Sequence, residues 1–316
     1  MADRRLAALG FAEIPAERPL SYPGRPVTGP YLLTGAELLP LAVRRSRPGA
    51  WPVAGTGGPG RPLDEVLAAL GRPAVGRRHP VIAVGSNASP AQLVHKLTGR
   101  GVSAVVPLVP VLVAGVAVGC SGHVSRPGYV ARAPYPSGTA DAAAVAVLSW
   151  LDPEQLAAVD DSEAPNYRRV TLPGDRFAMT LPSGERPAAA GLYVSRHGLL
   201  VGPDGGPRPV TQDQAALLTA LLAASPRLRA LLGPDALSWV RRAGADPELR
   251  RRATRLFAEE GLLPPADFGP YPARGAGRHR HRLPLHGGLP LHDDLPLDDD
   301  LPLYDDLPPL DGTPPG

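Results

Sequence analysis

Between His79 and about residue 201 the chain carries short apolar runs rich in valine, at 81–84, 104–118, 143–151, 167–172 and 189–194, with turn-forming residues between them. Runs of this length predict the strands of a small mixed or barrel-like sheet. The stretch Val105 to Val118 is too continuous for one half-exposed strand, and Pro107 and Pro110 predict its division into a connector and a buried strand. Upstream, Tyr31-Leu32-Leu33 and Leu38 to Leu41 are brief apolar runs, Ala54 to Gly60 reads as a flexible linker, and Leu63 to Leu70 predicts a helix. Beyond Pro209, Thr211-Gln212-Asp213-Gln214 reads as a capping box. Apolar residues at helical spacing then continue through Leu263 and predict two to four helices covering the sheet.

Two further helices have start signals written into the sequence. The run Val81 to Val84 ends in Gly85-Ser86-Asn87-Ala88, after which Ser89, Pro90 and Gln92 read as N-cap, first helical position and box-closing partner. The run Val147 to Leu151 is followed by Asp152, Pro153 and Gln155 in the same roles. The first loop therefore sits over exposed backbone N–H groups, which suit a carboxylate, phosphate or polarised carbonyl; an ordinary tight connection has the same sequence grammar. The second helix ends in the acidic cluster Asp160, Asp161 and Glu163 before Pro165, with Tyr167 opening the next strand.

The fold class expected is α+β, in four parts. Residues 1–78 form a partly ordered N-terminal extension, 79–210 the core, and 211–270 a C-terminal helical segment. Residues 271–316 repeat a Leu-Pro-Leu hexapeptide with Asp pairs, which predicts a disordered tail. The tail reads as a solubilising appendage, as a ligand for a protein partner, or as a weak metal trap through His279, His281, His286 and His292, whose spacing is irregular.

Composition narrows the classes. One cysteine, Cys120, in 316 residues excludes an internal disulfide framework and a cysteine zinc site. With no N-terminal apolar run long enough for a signal peptide or membrane span, this predicts a cytoplasmic protein that does not engage membranes. Cys120 reads as a small core residue, with a catalytic thiol as the lesser alternative. The net charge of +3 comes from scattered arginines without interleaved aromatics, which argues against nucleic-acid binding. Arg77-Arg78-His79 and Arg250-Arg251-Arg252 read as solvated faces. No metal or cofactor motif is present, and the glycines at 55–60 lack the Lys-Ser/Thr of a phosphate loop.

The two capped elements, in this order, resemble the gamma-glutamylcyclotransferase-like family. The matching residues are Gly85, Ser86 and Asn87 of the loop, then Pro153 to Leu156, Asp160, Glu163 and Tyr167, within about residues 79 to 200. Val84 stands where the family usually has Tyr, and Ala164 where Gly commonly follows the Glu. Pterin pyrophosphokinases share the Gly-Ser-Asn start, but the Arg-rich run and alternating Asp residues they need are missing between residues 100 and 270.

The resemblance implies a gamma-glutamyl amino acid, peptide or amine as substrate. Its own α-amino group attacks the γ-carbonyl, giving pyroglutamate and a free amine without metal, cofactor or covalent nucleophile. Glu163 would carry the protons, with its pKa raised by partial desolvation. Gly85, Ser86, Asn87 and Ala88 would donate N–H groups to the glutamyl carboxylate or the oxyanion, and Tyr167 would contact the substrate. From the residues alone, Glu163 also fits surface charge offset by Arg168 or Arg169. A non-catalytic binding or scaffold protein that keeps the fold is the alternative function.

Overall fold

The computed structural model describes residues 3–55, 60–139 and 142–268. In chain order the elements are β1 (Tyr31–Thr34), β2 (Leu38–Pro40), β3 (Pro52–Val53), β4 (Arg61–Pro62), α1 (Leu63–Ala69), β5 (His79–Ala83), α2 (Pro90–Thr98), β6 (Val105–Ala114), β7 (Val116–Val124), β8 (Val130–Pro136), β9 (Ala143–Leu151), α3 (Pro153–Glu163), β10 (Tyr167–Pro173), β11 (Met179–Thr180), β12 (Ala189–Ser195), β13 (Leu199–Leu200), α4 (Gln214–Ala224), α5 (Pro226–Leu232), α6 (Ala236–Ala245), α7 (Pro247–Glu260) and β14 (Leu262–Leu263). The class is mixed α+β. The hexapeptide tail and the centre of the Ala54 to Gly60 linker lie outside the described residues.

The larger sheet runs β10-β12-β5-β9-β6-β1-β2, with β11 also on β6. All its pairings are antiparallel except β12 with β5. Its central strands are apolar on successive residues because both faces are covered. On β9, Ala146, Leu148 and Trp150 enter one cluster while Val147 and Leu151 enter another; on β6, Val109, Val111 and Val113 oppose Val106 and Leu108 in the same way. Each fully buried Val or Leu among them contributes about 1.5–3 kcal/mol, and with both faces covered the strict alternation of a half-exposed strand is missing from these runs. β1 and β2 join this sheet through β6, so residues from the first 78 are structurally part of it.

The run from Val105 to Val118 divides at Gly115, not at its prolines. Gly115, at φ 73°, turns the chain from β6 into β7, the start of a second sheet in the order β14-β13-β7-β8. Both prolines lie inside β6. Pro107 precedes the β9 pairing that begins at Leu108, and Pro110 lies past the β1 pairing that ends at Leu108, so each sits where one flanking ladder is missing.

Four helices, α4 to α7, lie between β13 and β14 in the chain and bury Leu218, Leu232, Trp239 and Phe257 with Cys120 and Val130. The first starts later than the box at Thr211 predicts: Asp213 is its cap, accepting from Ala216 N at 3.0 Å, while Thr211 Oγ1 accepts from Asp213 N. Among the described residues no single helix is long and apolar enough to cross a membrane.

Arg78 departs from the solvated face expected of it, since it is fully buried. Its Nη1 donates to Val105 O, Trp150 O and Gln155 Oε1, each at 3.1 Å, and its Nε to Pro73 O at 2.9 Å. Burial lowers its pKa to about 10. It stays charged at neutral pH and ties the start of β5 to β6, β9 and α3.

Candidate functional site

The two helices named by the sequence converge. α3 begins with the expected box: Asp152 Oδ1 accepts from Glu154 N at 3.1 Å and Gln155 N at 3.0 Å, and Gln155 Oε1 accepts from Asp152 N at 3.0 Å. Arg72 pairs with the same carboxylate. This anchored start carries Glu163, the last residue of α3, to the loop after β5, where its Oε1 accepts from Asn87 Nδ2 at 3.0 Å and Lys96 Nζ at 2.5 Å. Lys96 also donates to Asn87 Oδ1 at 2.7 Å. Both side chains of the ion pair are only 14% exposed. Oε2 of Glu163 has no partner among the described residues.

The acidic end of α3 is thus compensated at two positions. Asp160 accepts from Arg169 at 2.8 and 3.0 Å and from Tyr193 at 2.7 Å. Glu163 is matched by Lys96 rather than by either expected arginine, and Arg168 reaches Ala266 O instead.

The start of α2 differs from its expected box. Among the described residues Ser89 makes no capping bond, and its buried hydroxyl has no partner. Gln92 Oε1 accepts from Ala16 N at 3.0 Å, so the N-terminal segment takes the group that would have closed the box. The loop forms a 3-10 turn over Ser86–Ala88, in which Ala88 N donates to Gly85 O at 2.9 Å. This removes Ala88 from the expected donor set. The N–H groups of Gly85, Ser86 and Asn87 have no acceptor among the described residues.

A cavity of about 370 Å³ brings together this loop, Glu163, Lys96, His123, Tyr22 and Tyr129. Tyr22 comes from the N-terminal segment, stacks on Tyr129 with centroids 4.2 Å apart, and accepts from Arg132 N at 2.8 Å. Tyr167 also lines the cavity, but its hydroxyl donates to Arg132 O at 2.9 Å and joins β10 to β8. A second depression of about 380 Å³, beside Leu222, Pro226 and Arg229, lacks such a set of polar groups.

The histidine at the cavity belongs to a buried network. His123 Nδ1 meets Ser121 Oγ at 2.7 Å, Ser121 Oγ meets Ser195 Oγ at 2.7 Å, and the His123 ring stacks on His197 at 4.8 Å. Burial, and secondarily His197, push the His123 pKa down to about 3, so the ring is neutral at ordinary pH. Burial raises the Cys120 thiol to about 11, which suits a core residue and not a nucleophile. Among the described residues no group of three or more His, Cys, Asp or Glu side chains is placed to hold a metal ion.

Lys96, Tyr22, Tyr129 and His123 were absent from the sequence-based site. Lys96 did carry a signal: it is the single lysine in a chain with 33 lysines and arginines together. No family model, curated protein or solved structure matches this chain.

Proposed function

We propose that the chain is a gamma-glutamylcyclotransferase-like enzyme, built on that family's barrel-like sheet, which cyclises a gamma-glutamyl amino acid, peptide or amine to pyroglutamate and releases the amine. The observation that supports this reading is the Asn87–Glu163 hydrogen bond at 3.0 Å, because it joins two motifs 76 residues apart at one cavity.

In this mechanism the γ-carbonyl rests against the N–H groups of Gly85, Ser86 and Asn87, which stabilise the oxyanion as it forms. Lys96 and Asn87 hold Oε1 of Glu163, leaving Oε2 to take a proton from the α-ammonium and return it to the departing nitrogen, then to pass on the second proton that the attacking nitrogen sheds as the lactam forms, so that the amine leaves as its ammonium. Curling the glutamyl chain makes the attack intramolecular, an advantage of up to about 7–11 kcal/mol. The test is pyroglutamate release from a panel of gamma-glutamyl amino acids, peptides and amines. Intact protein should release it, and Glu163→Gln, folded by circular dichroism, should not. Absence of release from every panel member by folded intact protein contradicts the proposal.

One observation favours the scaffold alternative. The Lys96–Glu163 pair at 2.5 Å staples α2 to α3 and gives the carboxylate a structural use. Under that reading Glu163→Gln would lower stability with no catalytic rate to lose.

A further inference from the structure

Tyr22 is 4% exposed, and its hydroxyl already accepts a hydrogen bond from Arg132 N. The phenolic proton is a separate resource, and it has no acceptor among the described residues. Buried donors are seldom left unpaired, because an orphaned O–H forfeits its hydration without replacement. Burial also raises the pKa of this phenol, so it keeps its proton at working pH. The oxygen lies against the candidate loop: a Cβ built on Gly85 would fall 2.7 Å from Tyr22 Oη. Contacts that hold the N-terminal segment in place include Ala16 N on Gln92 Oε1, Arg132 N on Tyr22 Oη, and the Tyr22–Tyr129 stack.

We infer that Tyr22 is a substrate-contacting donor that gives its phenolic hydrogen bond to the γ-carbonyl oxygen beside the Gly85 amide, so that the N-terminal segment completes the site. This rests on the cyclotransferase reading above and adds a residue outside both sequence motifs. No proton leaves the phenol. The hydrogen bond strengthens as charge builds on the oxygen, and it therefore acts on turnover more than on binding.

The experiment compares full-length protein, Glu163→Gln and Tyr22→Phe for pyroglutamate release, with thermal unfolding as the control for folding. Tyr22→Phe keeps the ring and its stack. Its kcat should fall by about 10²–10³-fold with KM nearly unchanged, as expected when one oxyanion donor is lost. As a second measurement, intact protein labelled with ¹³Cζ-tyrosine is titrated with pyroglutamate, and the Tyr22 resonance should shift saturably. An active intact protein and inactive Glu163→Gln, with Tyr22→Phe near full rate or the Tyr22 resonance unmoved, overturns the Tyr22 assignment alone. No release by intact protein overturns the cyclotransferase reading and this assignment with it.

Discussion

Lys96 Nζ and Glu163 Oε1 meet at 2.5 Å, joining the last turn of α2 to the last residue of α3. The pair relieves an unfavourable placement, since a carboxylate at a helix C-terminus faces the negative end of the dipole while an ammonium there is favoured. Lys96→Met should therefore leave Glu163 largely buried without its cation and destabilise the fold by about 1–3 kcal/mol, read by denaturant unfolding. Lys96→Arg should recover part of that stability. A loss below the error of the measurement would show that the pair is not structural.

Gly85 and Tyr22 are coupled by space. A methyl group at Gly85 would sit 2.7 Å from Tyr22 Oη but 3.7 Å from Tyr22 Cζ, an ordinary contact. Gly85→Ala should cost about 1–3 kcal/mol in the native background and clearly less in Tyr22→Phe, where the oxygen is gone. A double-mutant cycle measures the difference, and simple additivity would refute the contact.

The two expected caps differ in a way that stability can read. Asp152→Ala removes a formed capping box and the partner of Arg72, and should cost about 2–4 kcal/mol. Ser89→Ala removes a buried hydroxyl with no partner among the described residues, and should leave stability unchanged or raise it by about 1 kcal/mol. Similar losses at both positions would contradict the assignment.

His123 sets a pH dependence. Its folded pKa is depressed to about 3 from the ordinary 6.5, so between these values the unfolded state binds the extra proton. Stability from this group is intact above about pH 6.5 and falls as pH drops toward 3, with a slope approaching about 1.4 kcal/mol per pH unit. In His123→Gln the acid limb of a stability-against-pH curve should be shallower by about one proton. An unchanged slope would mean that the ring is protonated in the folded protein.

Much of this arrangement is visible in one dimension because its causes are local. The Asp152-Pro153-Gln155 box depends on residues within one turn, and it forms as read; Glu163 then follows from the length of α3. The Ser89-Pro90-Gln92 signal has the same grammar, but Gln92 is engaged by Ala16, 76 residues away, which no local pattern records. The burial of Arg78 is equally non-local, since its acceptors come from β6, β9 and α3. Tyr22 lies in a Pro- and Gly-broken segment without periodicity, so its place in the cavity depends on tertiary packing.

The central claim, an internal cyclisation, is tested most directly by running the reaction in H₂¹⁸O with a gamma-glutamyl amino acid and analysing both products by mass spectrometry. The account predicts one equivalent of pyroglutamate per amine released, with no ¹⁸O in the pyroglutamate, because the attacking group is the substrate's own nitrogen. Labelled glutamate, or no product from folded protein, would contradict it.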